Sequence, residues 1–400
     1  MAILTPRDEA DLVEIVGAAR ATRTALEIVG RGTRRGLGRP VGAVDRVDLS
    51  GLTGITLHEP SELVLTARAG TPLAEIHAAL ARANQELAFE PVEHTALFGH
   101  APRAGSIGGL VGVGWGGSRR LKVGSTRDHL LGFKGVNGFG EAFKSGGRVM
   151  KNVTGFDLSK LVAGSFGTLA VLTEVTLKVL PRAETEETVA ILGLGDRDGL
   201  SILREVSGSP QEVSCLAHLP SGCHGPFGDM SATLLRLEGP AVSVAGREAD
   251  LMARWCGRGP IEVLGEDASR ALWADLGEAR PIAGGDTQIW RISVAPSEGG
   301  TVVDTMRESG LPIAAHFWDW AGGLIWMAIE PSADAGAAIV RRAVDAVRGH
   351  ATLVRAAETV RAAVAPFHPQ PPALAALTER VKAAFDPDRL FNPGRMVEGI

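Results

Sequence analysis

Residues Gly146 to Pro181 read GGRVMKNVTGFDLSKLVAGSFGTLAVLTEVTLKVLP. In the second half, Leu169, Val171, Thr173, Val175, Leu177 and Val179 fall on one face of an extended chain and Ala170, Leu172, Glu174, Thr176 and Lys178 on the other, which predicts a long half-buried strand. The first half is a glycine-punctuated approach. Asp157 can cap a single turn over Leu158 to Val162, Gly164 stops that turn, and Gly167 lets the backbone pass close to another group. That group is either a bound ligand or the next turn of the chain, and the stretch alone leaves the two about even.

Working outward, Thr5-Pro6-Arg7-Asp8 reads as an N-cap with proline at the first helical position, followed by Leu12, Ile15, Val16 and Ala19 at helical spacing. A short buried strand, Ala25 to Val29, then empties into Gly30-Arg31-Gly32-Thr33-Arg34-Arg35-Gly36-Leu37-Gly38. Arg35 stands where the third glycine of a G-x-G-x-x-G dinucleotide fingerprint belongs, and Gly36, Gly38 and Pro40 oppose the helix that should open there. What remains is a run of backbone N–H groups able to curl around an anion, with arginines nearby; a pyrophosphate is the natural guest and a glycine-rich surface turn the alternative. Val44 to Leu49 and Leu63 to Arg68 read as strands, the second leading into a helix capped by Thr71 with Pro72 at its start. A second glycine-dense stretch follows, from Gly105-Ser106-Ile107-Gly108-Gly109 to Gly117, with Leu110, Val111, Val113 and Trp115 interleaved. Such interleaving argues against a flexible linker. Gly138 to Ser145, GFGEAFKS, imitates a P-loop, but Phe143 would fill the phosphate cradle.

The composition excludes several classes. A chain of 400 residues, 45% hydrophobic, can bury more than one core. A net charge of −5 argues against nucleic acid as a partner. No apolar run is long enough to span a bilayer, and Arg7, Asp8 and Glu9 interrupt any secretory core, so a cytoplasmic location is expected, with peripheral membrane association at most. In that setting Asn152-Val153-Thr154 is an accidental glycosylation sequon. Three cysteines, Cys215, Cys223 and Cys256, cannot hold a four-cysteine iron–sulfur cluster. There is no tyrosine to act as acid or base.

The three glycine elements, in this order and spacing, resemble the FAD-binding domain of the vanillyl-alcohol oxidase type, the PCMH fold, over residues 1 to about 182. GGRVMKNVTGFDLSKL, then HFWDWAGGLIW from His316 to Trp326, and FDPDRLFNPGRM from Phe385 to Met396 extend the resemblance to the FAD-binding E subunits of bacterial glycolate oxidases. The resemblance implies an α+β chain: a PCMH-type FAD-binding domain of two α/β subdomains (1–182), a smaller ferredoxin-like cap (183–350), and a C-terminal segment (351–400) returning to the FAD domain. It implies FAD, with the pyrophosphate on Gly30, Arg31, Gly32, Thr33, Arg34 and Gly36. The phosphates and flavin would be backed by Gly105, Ser106, Ile107, Gly108 and Gly109. The adenine half would be passed by Gly155, Asp157, Gly164, Gly167, Thr168 and Val171, and Asn392 would lie near the flavin ring. Phe156 replaces a common tyrosine, and Thr33 stands where covalently flavinylated relatives have histidine, so the FAD is expected to be non-covalent.

The implied activity is oxidation of glycolate, a small 2-hydroxy acid, to glyoxylate, in a complex with a catalytic FAD subunit and an iron–sulfur subunit. The flavin here would be a relay or a structural group. Competent relatives carry a G-H-x-G-D-G-N-x-H metal motif that this chain lacks. A self-sufficient dehydrogenase of another alcohol or 2-hydroxy acid would need a base, for which His316 oriented by Asp319 is the candidate, although the flanking Phe317, Trp318 and Trp320 favour simple packing. A scaffold that has lost its cofactor is the third reading, opposed by three intact glycine loops. His94 and His100 could border the flavin. Cys215, His218, Cys223 and His224 match no zinc spacing and read as structural, so no metal is expected.

Beyond Pro181, Glu184, Glu186 and Glu187 read as a solvated linker. Strands over Thr188–Leu192, Glu212–Leu219, Thr233–Leu237 and Gln288–Val294, with helices over Gly199–Val206 and Val244–Trp255, give the order of one ferredoxin-like unit. A hairpin, Ala314–Trp320 with Leu324–Ile329, and a last helix over residues 333–348 complete the cap. Pro366 to Pro372 is a stiff connector into a helix from Ala373 to Ala384.

Overall fold

The computed structural model describes residues 1–42, 45–148, 155–223 and 225–400. Val44 of the second expected strand, the Asn152 sequon and His224 lie outside the described residues. The chain divides into two compact units, one of residues 1–117, 124–182 and 369–400, the other of 118–123 and 183–368.

The first unit holds two main sheets. β1 (Ile3–Leu4), β2 (Leu26–Val29) and β3 (Asp45–Asp48) are parallel, with β3 central. The helix Glu9–Thr22 contributes Leu12, Val16 and Ala19 to the core that this sheet builds with Leu390 and Phe391. That helix is capped by Asp8, whose Oδ1 accepts from Asp11 N–H at 2.9 Å, rather than by Thr5. The second sheet is antiparallel, in the order β4 (Ile55–Glu59), β5 (Val64–Arg68), β9 (Ala170–Lys178), β7 (Leu130–Asn137), β8 (Ala142–Gly146). A two-stranded ribbon pairs β6 (Gln85–Glu86) with β10 (Leu180–Pro181). Thr71 does not cap the helix Leu73–Arg82. Its Oγ1 donates back to Arg68 O at 2.6 Å and accepts from Gly54 N–H, leaving Pro72 at the cap.

β9 corrects the expectation of a half-buried strand. It lies between β5 and β7 and is buried at most positions on both faces. Its alternation also breaks, because the pairing with β7 slips between Lys134 and Gly135, which face Glu174 and Leu172. One extra residue, Thr173, inverts the faces. Val171 therefore joins the core of β2 and the first helix, whereas Leu172, Val175 and Leu177 join the core under the helices Leu73–Arg82 and Ile107–Val113.

The second unit is one antiparallel sheet of eight strands: β11 (Thr185–Leu192), β12 (Cys215–Leu219), β13 (Ala232–Gly239), β14 (Ile261–Leu264), β15 (Gln288–Ser293), β16 (Ile313–Asp319), β17 (Leu324–Ile329) and β18 (His350–Arg355). The order is β14-β11-β13-β12-β16-β17-β15-β18. The helix Asp196–Ser207 links β11 to β12 and Ala241–Trp255 links β13 to β14, which makes a complete βαββαβ unit. Gly299–Glu308 and Ala337–Ala346 do the same for β15 to β18. The fold is thus two ferredoxin-like units, not one, joined where His218 of β12 faces Trp318 of β16. A single core runs beneath all four crossover helices. Glu186 is no linker residue: it is buried in β11, where Ser269 Oγ donates to it at 2.9 Å, and burial pushes its carboxyl above the usual range. The second unit also runs on to His368, past the expected boundary at 350, because β18 is the sheet's last strand.

Candidate functional site

The first glycine loop lies at the C-terminal end of β2, where a parallel strand delivers backbone to a crevice. Its arginines fix the loop. Arg35 makes paired bonds to Glu27 at 2.7 and 2.9 Å, and Arg46 adds a third at 2.9 Å. Burial opposes ionisation of Glu27, but the two guanidiniums hold its carboxyl below the ordinary range. Arg34 is buried and donates to Val92 O at 2.6 Å, and Arg31 donates to Ala104 O at 2.8 Å. The backbone adds anion-binding capacity of its own. Among the described residues, the consecutive N–H groups of Arg31, Gly32 and Thr33 have no acceptor, and Gly32 sits at φ +75°. This is the geometry of an anion nest.

An open cleft lies in front of this loop. Gly30, Arg31, Gly32, Thr33 and Arg34 line it from the first loop, Ser106, Gly108 and Gly109 from the second, Gly167 from the third, and Asn392 from the tail. The second loop opens the helix Ile107–Val113, where Ser106 Oγ accepts from Gly109 N–H at 3.3 Å. A Cβ on Gly30 would overlap Ser106 Oγ, so the first two loops pack directly on each other. The third loop crosses the far end of that helix: Gly164 N–H donates to Val111 O at 3.0 Å and Phe166 N–H to Gly112 O at 2.8 Å.

The remaining expected contacts do not line the cleft. Gly36 gives room to the Phe98 ring, and Gly105 N–H is held by Glu93 Oε2 at 2.9 Å. Ile107 and Val171 are core residues, and Gly164 backs Gly114. Thr168 Oγ1 donates to Ser165 O at 2.7 Å. Gly155 and Asp157 are exposed, Asp157 serving as a helix cap, and Phe156 between them is 90% exposed. His94 is buried edge-on to Trp115 and His100 is exposed, neither at the cleft.

Reading the sequence missed Gly112, Phe166 and Arg395, which also line the cleft. Gly112 is the most informative. Its φ is ordinary and a Cβ would meet nothing within 4 Å, so neither strain nor packing within the chain accounts for glycine there. A side chain would enter the cleft instead. Free N–H groups for a pyrophosphate and an unfilled glycine wall beside them fit FAD.

In the second unit, His316 and Asp319 do not form a base and its orienting carboxylate. His316 faces Met327 and Trp318 faces Ile325, on the helix-covered face of the sheet; Asp319 pairs with Leu324 on the other. Asp319 accepts from Ser118 Oγ at 2.6 Å and Trp320 N–H at 2.7 Å. His316 packs edge-on to Trp318 at 4.6 Å, its Nε2 has no partner among the described residues, and burial pushes its pKa down to about 4. The cysteine and histidine cluster is equally structural. His218 is bonded to Thr233 and Asp196, and burial pushes the Cys223 thiol up to about 11. Among the described residues no group of His, Cys, Asp and Glu is arranged to hold a metal. No helix among them is long and apolar enough to cross a membrane.

Comparison with known proteins agrees with this geometry. Residues 1–146 match the FAD binding domain family FAD_binding_4. Glycolate oxidase subunit GlcE of Escherichia coli (strain K12) is 35% identical over 389 residues, covering 96% of each chain. Glycolate oxidase subunit GlcD of Bacillus subtilis (strain 168) is 41% identical over 87 residues, 22% of this chain and 18% of that one. The structure of p-cresol methylhydroxylase with substrate bound superposes with a TM-score of 0.70 at 12% identity, over 99% of this chain and 88% of that one. With the fold of that enzyme, an FAD-binding domain at its N-terminal end and a match to one subunit across nearly all of both sequences, the chain belongs to the glycolate oxidase subunit GlcE family of FAD-linked oxidoreductases.

Proposed function

We propose that this protein is the FAD-binding subunit of a glycolate-oxidising complex, that it holds FAD non-covalently in the cleft described above, and that it works with a catalytic FAD subunit and an iron–sulfur subunit. The observation that carries the cofactor assignment is the run of unpartnered N–H groups at Arg31, Gly32 and Thr33 opening onto the cleft. Bound FAD would supply the two-electron acceptor for a CH–OH donor. The chain's part is to seat the pyrophosphate on that nest, to keep the wall at Gly112 clear of a side chain, and to close the cleft with Asn392. Thr33, at the position of the flavinylated histidine, offers no imidazole for a covalent link.

The dependence on partners is supported by the side chains available. His316 and Asp319 lie on opposite faces of the sheet, so neither serves the other in proton abstraction. Three cysteines fall short of a cluster that would pass electrons onward. The test is turnover by parts. The purified chain should bind FAD yet show negligible glycolate oxidation with an artificial acceptor, and activity should appear when its partner subunits are added. Robust turnover by the single chain, abolished by His316→Ala, would establish a self-sufficient dehydrogenase instead. Gly112→Leu tests the cleft itself: the variant should fold and bind no FAD.

A further inference from the structure

The end of the chain is tied to the cleft through one buried cation. Lys382, on the helix Pro372–Phe385, donates to Asp386 Oδ2 at 2.7 Å, Thr168 O at 2.7 Å and Phe391 O at 3.1 Å. An ammonium has three donors, and here all three are used. Asp386 is fully buried and accepts in addition from Leu390 N–H at 3.0 Å and Phe391 N–H at 2.8 Å, which fixes the turn that follows the helix. Burial pulls the Lys382 pKa down, and the Asp386 carboxylate opposes that shift.

Neither residue lines the cleft, but each carbonyl that Lys382 grips is next to one that does. Thr168 follows Gly167, and Phe391 precedes Asn392. Asn392 joins β2, the strand that leads into the first loop, to the third loop: its Oδ1 accepts from Ile28 N–H at 2.8 Å and its Nδ2 donates to Phe166 O at 2.8 Å. A Cβ on Gly167 would come within 2.9 Å of Asn392 Nδ2, so the spacing between loop and tail has little slack. We propose that Lys382 is a positioning residue for FAD, and that it acts by clamping the third loop to the C-terminal turn so that Asn392 holds the third loop against β2, the strand from which the first loop springs, at the cleft. Its charge serves to reach two carbonyls on separate segments, beyond neutralising Asp386. This inference rests on the reading of the cleft as the FAD site.

The experiment compares Lys382→Met, Lys382→Met/Asp386→Asn and Gly112→Leu in the full-length protein, by melting temperature without cofactor and by FAD affinity from flavin fluorescence. Lys382→Met alone leaves a buried carboxylate without its cation and should lose both stability and affinity. The double variant removes that unpaired charge, so its melting temperature should return toward wild type while FAD binding stays at least tenfold weaker. Wild-type affinity in the double variant would reduce Lys382 to a counter-ion and overturn the inference. So would wild-type affinity in Lys382→Met, which also decides the matter if the double variant does not fold. FAD retained by Gly112→Leu would refute the cleft as the flavin site, whereas its loss there, with wild-type binding in the double variant, would refute only the role of Lys382.

Discussion

Gly108 and Gly112 stand one helical turn apart and are glycine for opposite reasons. A Cβ on Gly108 would lie 2.7 Å from the Ala69 Cβ, inside the protein, whereas one on Gly112 would meet nothing. Gly108→Val should therefore damage the fold, by about 1–3 kcal/mol or more, with flavin loss as a consequence. Gly112→Leu should melt at or above the wild-type temperature and remain colourless, since leucine is the better helix former. Thermal melts and flavin content of the two purified variants check this. The glycine-dense stretch is plain in the sequence, but which glycine faces ligand and which faces protein depends on Ala69, far away in the chain. His316 gives a prediction in pH. Its folded pKa of about 4 lies below its ordinary value of 6.5, so the unfolded chain binds a proton there that the native chain excludes. Stability is fully present above pH 6.5 and is lost as pH falls toward 4, by up to about 3 kcal/mol from this residue. His77, also pushed down to about 4 by burial, acts in the same direction. His316→Leu should flatten the acid limb of a denaturation series over that window. It should leave turnover of the assembled complex within a few-fold, where loss of a general base would cost ~10²-fold or more.

At the scale of elements, β9 was legible as a strand but its facing was not. The residues from Leu169 to Val179 alternate without fault; the slip that turns Val171 away from Val175 is set by pairing with β7, which no local pattern records. The duplicated second unit was half legible for a similar reason. Its first βαββαβ unit is plain from hydrophobic period except for β14, while the first helix of the second opens on Gly299-Gly300, a weak helical start. Glycine is required at 299 by packing: a Cβ would overlap the Gly322 carbonyl oxygen and lie 3.3 Å from Trp318, whose Nε1 donates to Gly299 O at 3.0 Å. Gly299→Ala should therefore destabilise the protein by a net ~1–3 kcal/mol, although alanine gains ~1 kcal/mol in helix propensity. A thermal melt that shows stabilisation would contradict this packing.

At the scale of the whole molecule, the site is legible as three loops and a tail but not as a closed object, because β2, Ser106, Phe166 and Asn392 meet only through the fold. A non-covalent cofactor predicts that acid precipitation leaves a yellow supernatant over a colourless pellet; flavin retained in the pellet would refute it. The first unit is assembled from both ends of the sequence, for Leu26 N–H donates to Leu390 O at 2.7 Å and Asn392 N–H to Leu26 O at 2.9 Å. This has a consequence in time. When the third glycine loop leaves the ribosome, Asn392 is still roughly 220 residues behind it, which at ~5–20 residues per second takes on the order of 10–40 s. Throughout that interval the nascent chain presents β2 without its C-terminal partner and a cleft without its tail wall. Flavin capture would then wait for the C-terminal turn: ribosome-bound chains stalled short of Asn392 should bind no FAD, while released chains that carry it should bind it at once.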